Sequence, residues 1–81
     1  MTKNEITSFD TAFDYCFKKA VSNVSRYMQV EAEEVAEVEP WIFKTFCKMH
    51  DKINAEDWRL IRDNTILFTR RIEYLLAGRF I

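Results

Sequence analysis

Residues 54–78 read NAEDWRLIRDNTILFTRRIEYLLAG, and the fold turns on how that stretch is placed. Asn54 followed by Glu56 and Asp57 marks a helix start. The asparagine can satisfy an orphan backbone N–H, and the carboxylates sit at the positive end of the helix dipole. Gly78 is the residue type expected just past a helix end, where the backbone turns left-handed. The spacing between these signals predicts one long helix over 55–77. At 3.6 residues per turn, Trp58, Ile61, Phe68, Ile72, Leu75 and Leu76 share one side. Leu60, Leu67 and Tyr74, spaced seven apart, fall on the other side, with Ile66 between the two. A helix in a three-helix bundle normally buries one side. The second stripe therefore predicts either a helix sandwiched within the fold or a surface for self-association. Burying two leucines and a tyrosine contributes on the order of several kcal/mol at about 25 cal/mol per Å², and a symmetric dimer is the commonest way to do it.

Upstream, Ile53 and Trp58 are placed as a hydrophobic staple across the start of that helix. Pro40 suits the first turn of a preceding helix over 40–53, with Val38 and Phe43 as its staple pair. That helix carries Ile42, Phe43, Phe46, Cys47, Met49, His50 and Ile53 on a wide apolar arc, with Lys44, Lys48 and Lys52 opposite. The first helix, over 8–29, opens at Thr7-Ser8-Phe9-Asp10, read as a capping box with Thr7 as the cap. Phe9, Phe13, Cys16, Phe17, Ala20, Val24, Tyr27 and Met28 then form one face, and Lys18, Lys19, Ser22 and Arg26 lie opposite. Tyr15 falls on the polar side as a snorkelling tyrosine. Residues 30–39 make an acidic connection with room for a short fourth helix around Val35 and Val38. The expected architecture is a small all-α antiparallel bundle of three main helices in a single domain.

Composition narrows the class further. One glycine and one proline leave too few turn residues for a sheet of this size. Hydrophobic content of 48% is ample for a core, which argues against disorder. No run of about 18 apolar residues offers a membrane span, and Met1-Thr2-Lys3-Asn4-Glu5 lacks the apolar stretch of a signal peptide. Cys16 and Cys47 sit in apolar periodic runs, as buried thiols of a reducing compartment do. A cytoplasmic protein is expected.

The net charge of −1 hides an asymmetry. Residues 1–40 hold four Lys/Arg against eight Asp/Glu, whereas residues 41–81 hold eight against five. Such a division can serve head-to-tail association between copies or attraction between the halves of one fold. The acidic half includes Glu31, Glu33, Glu34, Glu37 and Glu39, either a solvated connection or a docking surface for a basic partner.

Few residues suit catalysis. His50 is the only histidine and flanks an apolar arc, which fits a structural role; a general base or pH sensor is the functional alternative. Cys47 and His50 with Cys16 fall short of the four ligands that structural zinc wants. The acidic run lacks the Asp/Asn/Gly pattern of a calcium loop, and a single glycine builds no phosphate loop. No cofactor is expected. Lys44, Lys48, Lys52, Arg59, Arg62, Arg70 and Arg71 are candidate phosphate contacts. However, Asp51, Asp63 and Glu73 interrupt them, and the chain is not basic overall.

Lys48, Asp51, Lys52, Ile53, Trp58, Ile61 and Arg62 resemble the C-terminal part of the Hha/YmoA modulators, small helical partners of nucleoid-structuring proteins. The resemblance is local to residues 48–62, and the upstream helices do not share it. The chain continues through residues 63–81 where that family stops, so no site is carried over. The function expected from the residues is a non-enzymatic protein-binding module, such as a small bacterial or phage regulator or inhibitor. It would self-associate through Leu60, Ile66, Leu67 and Tyr74 and offer the acidic run to a partner. A nucleic-acid-associated regulator is the alternative.

Overall fold

A computed structural model describes residues 3–49 and 58–80. Every regular element among them is helical: a 3-10 turn at Lys3–Glu5, then α1 (Phe9–Met28), α2 (Ala32–Ala36), α3 (Glu39–Met49), α4 (Trp58–Asp63) and α5 (Thr65–Phe80). The Cα radius of gyration is 12.0 Å, close to the roughly 12 Å of a packed globule of this length.

The cap of α1 is Ser8, one residue beyond the expected Thr7. Ser8 Oγ accepts from the Thr11 N–H at 3.2 Å, and Thr11 Oγ1 accepts from the Ser8 N–H at 2.9 Å. The same Thr11 oxygen also accepts from the Thr7 N–H at 3.0 Å. One hydroxyl thus satisfies two donors, and Asp10 is not needed in the box. The helix stops at Gln29, which adopts a left-handed conformation at φ 55° and bonds its N–H to the Ser25 carbonyl. The chain then enters α2, the short fourth helix allowed for in the acidic segment, which is pinned by fully buried Val35.

Two expectations about the C-terminal helix are corrected. It is not continuous over its described part, because Asn64 divides it into α4 and α5. The Asn64 N–H bonds to the Ile61 carbonyl, its Nδ2 donates to the Leu60 carbonyl at 2.8 Å, and its own carbonyl accepts the Phe68 N–H. Asparagine can bond nearby backbone in this way, which suits it to a junction more than a helix interior. Nor does Gly78 end the helix: α5 runs through it to Phe80, and no described glycine has a positive φ. Leu76 and Phe80, four residues apart, both pack on the core, and Arg79 lies over the Trp41 ring at 4.7 Å. These contacts outweigh the roughly 1 kcal/mol that a helical glycine costs. The predicted start at Asn54, the Ile53–Trp58 staple, and the roles of His50 and Lys52 lie outside the described residues.

The core forms where α1, α3 and α5 meet. Ala12, Cys16 and Ala20, spaced four apart on α1, are fully buried. Their small size allows the close approach of α5, the main partner of α1. Cys16 Sγ donates to the Thr65 carbonyl at 3.8 Å, and Asn23 Nδ2 donates to Glu73 Oε1 at 2.6 Å. Those pairs lie 49 and 50 residues apart, so α1 and α5 run in the same direction. α3 joins them through aromatic rings. Phe46 is fully buried and meets Phe13 at 5.2 Å, Phe9 at 5.9 Å and Phe68 at 6.0 Å between centroids. Phe43 meets Phe13 edge-on at 4.9 Å. Edge-to-face and tilted pairs of this kind add about 0.5–1.5 kcal/mol each beyond their burial. Met49 is exposed, and so is Tyr27, although both belong to predicted apolar faces. Tyr15 is half-buried against the core with Lys19 over its ring.

Candidate interaction surface

The core stripe of the C-terminal helix falls as predicted. Ile61, Phe68, Ile72 and Leu76 are buried, while Trp58 and Leu75 pack partly buried against them. The second stripe does not enter the fold. Leu60 is 50% exposed, Leu67 48%, Ile66 74% and Tyr74 82%, so the sandwiched arrangement is excluded. The break at Asn64 puts Leu60 on α4, apart from the other three on α5.

Ile66 and Tyr74 lie on the rim of an open groove of about 1060 Å³ between α1 and α5. Tyr27 stands across from them on α1, 91% exposed. The floor is made of small or half-buried groups, including Val24, Thr65, Thr69 and Ala77. Lys19 and Arg70 also line the groove, and Arg26 adjoins it beside Tyr27 and Glu73. Leu67 is not part of the lining. Sequence reasoning missed Tyr27, Lys19 and Arg26 as members of this surface. The available signal was their helical spacing along α1: Lys19 and Arg26 are seven residues, about two turns, apart, and Tyr27 follows Arg26.

Burial raises the Cys16 thiol pKa above its usual value, opposed by nearby Thr69 and the charge of Lys19. Thr69 is itself buried, and its Oγ1 meets no partner at hydrogen-bond geometry. The half-buried Cys47 thiol is also raised, by burial and then by the negative charge of Asp10. Both cysteines are free. Both shifts run opposite to the lowering that activates a thiol nucleophile.

Of the acidic run, Glu31, Glu33, Glu34 and Glu37 are exposed and Glu39 is half-buried. None of the five makes an ion pair among the described residues. The ion pairs that form there are Lys18–Asp14 at 3.1 Å and Arg62–Asp63 at 3.2 Å. Both are local, so neither draws the acidic half of the chain to the basic half. The candidate phosphate contacts are dispersed. Lys44 and Lys48 are exposed on α3. Arg59 and Arg62 lie over the Trp58 ring at 5.1 and 5.2 Å, and Arg71 lies over Phe68 at 5.1 Å. Arg70 faces the groove, and Lys52 is outside the described residues.

Among the described residues no three His, Cys, Asp or Glu side chains gather as a metal site, and no helix is long and apolar enough to cross a membrane. No family model, curated protein or solved structure matches the chain.

Proposed function

We propose that this chain, a small helical bundle in which α1 packs directly on a parallel α5 and α3 joins them through its aromatic rings, is a non-enzymatic protein-binding module of the regulator or inhibitor kind. It self-associates through the outer face of α5. The observation that carries this reading is the exposure of Ile66, Leu67 and Tyr74 on a helix whose opposite side already fills the core. Contiguous large apolar side chains at the surface are the usual mark of a contact site. Tyrosine adds area at low conformational cost, which is why it is enriched at interfaces.

Light scattering over a concentration series tests the reading. A mass near twice the 9.7 kDa chain, returned to the single-chain value by Tyr74→Glu with helical content unchanged, supports it. A single-chain mass for the unaltered protein at every concentration overturns it. The nucleic-acid alternative is less well supported, because Arg59, Arg62 and Arg71 are drawn onto aromatic rings. Strongly salt-dependent DNA binding would restore it.

A further inference from the structure

The groove between α1 and α5 joins exposed apolar groups to cations that form no ion pair among the described residues. Tyr27, Ile66 and Tyr74 form its rim. Lys19, Arg26 and Arg70 lie along or beside it, and none of the three makes an ion pair among the described residues. Glu73, the carboxylate of this region, is engaged by Asn23. Elsewhere on the same molecule, residues 31–39 present five glutamates that likewise make no ion pair among the described residues. α2 holds part of that run in a fixed shape through buried Val35.

We infer that the occupant of the groove is a second copy of this chain, with the acidic α2 segment of each copy lying against the Lys19/Arg26/Arg70 side of the other. This rests on the self-association reading and specifies the pairing within it. The charge division read from the sequence supplies the complementarity: a −4 first half and a +3 second half, with only local ion pairs, Lys18–Asp14 and Arg62–Asp63, formed among the described residues. Identical copies then carry both the key and its complement. A reciprocal arrangement uses each surface twice and closes as a two-fold dimer rather than an open chain. A stable dimer needs about 800 Å² on each side, more than three exposed rim residues provide, and the α2 segment extends the contact. The charged contacts set orientation and register, while Tyr27, Ile66 and Tyr74 supply the apolar burial.

Charge exchange tests the pairing. One variant carries Arg26→Glu with Arg70→Glu, and the other carries Glu34→Lys with Glu37→Lys. All four positions are exposed. Glu37 is the C-cap of α2, where the helix dipole favours positive charge, whereas Glu34 lies in its first turn, so retained helical circular dichroism is the control for that substitution. The expected result by light scattering has three parts. The unaltered protein is a dimer at low ionic strength and dissociates in about 1 M salt, where the Debye length is about 3 Å. Each variant alone is a monomer with helical circular dichroism retained. An equimolar mixture of the two returns to the dimer mass, because both reciprocal contacts are again between opposite charges.

A dimer that ignores salt and both charge variants, yet is split by Tyr74→Glu, overturns this pairing and leaves the self-association reading standing. Variants that are monomeric alone and stay monomeric when mixed overturn the pairing as well. A monomer at every concentration for the unaltered chain overturns both, and passes the groove to a foreign acidic partner.

Discussion

The two sides of α5 are built from similar residues and meet opposite fates. Phe68, Ile72 and Leu76 are buried, whereas Ile66, Leu67 and Tyr74, drawn from the same turns, face outward. Hydrophobicity alone does not distinguish them. What distinguishes them is the surface on offer: α1 presents Ala12, Cys16 and Ala20, small enough for close approach, and α3 presents Phe46. One wall of small residues and one of rings accommodates one side of a helix. A second side of equal apolarity is then surplus to the core, and this surplus is the basis of the proposed contact.

The sharpest way to break this contrast is to put a charge on each side. Leu76→Glu buries an unpaired carboxylate and is expected to abolish cooperative folding, since the cost rivals the whole stability of a small domain. Leu67→Glu is expected to leave helical circular dichroism intact. If both variants unfold, Leu67 is core and the contrast is lost. A gentler version truncates isoleucine. Ile72→Ala should cost about 2–5 kcal/mol in urea unfolding, the range for buried aliphatic truncation. Ile66→Ala should stay within about 0.5 kcal/mol in the monomer. Similar losses at the two positions would contradict the exposures.

Gly78 sharpens the comparison at the far end of α5. A Cβ there meets nothing within 4 Å, and the backbone is helical. Gly78→Ala should therefore stabilise the protein by about 0.5–1 kcal/mol. Destabilisation would mean that the residue is a left-handed terminator after all.

The smallest signal concerns the inner side. Burial raises the Cys16 pKa from its usual 9.0, so the folded state holds this proton more tightly than the unfolded chain does. The associated stability is fully present below the usual thiol pKa and is lost as pH rises through and above it. Urea midpoints should fall from pH 8 to 10, and Cys16→Ala should flatten part of that fall. An identical slope in both proteins would place the titration elsewhere.

Legibility followed locality. The α1 face from Phe9 to Val24 and the α5 core stripe could be read from spacing, because one helix and one core settle them. The break at Asn64 was written in Asp63-Asn64-Thr65, three residues that bond readily to nearby backbone, but the uninterrupted apolar period ran across it. Gly78 gave a stop signal that the contacts of Leu76 and Phe80 override, because tertiary packing exceeds one residue's propensity. Tyr27 fits the α1 period yet is exposed, since period predicts a direction and not whether a neighbour stands there. The groove escaped notice for the same reason. It joins Lys19 and Tyr27 to Ile66 and Tyr74 across some fifty residues of chain, a relation that depends on which helices become neighbours.

That separation also sets the timing of folding. The principal partner of α1 is α5, made about fifty residues later during synthesis. Until residues 65–80 have left the ribosome, the face of α1 built on Ala12, Cys16 and Ala20 has no wall to close against. With local helices but a distant closing contact, this chain should fold more slowly than hairpin-like helical proteins of its size. Through that interval Phe46 lacks Phe68, one of the rings it meets in the folded core.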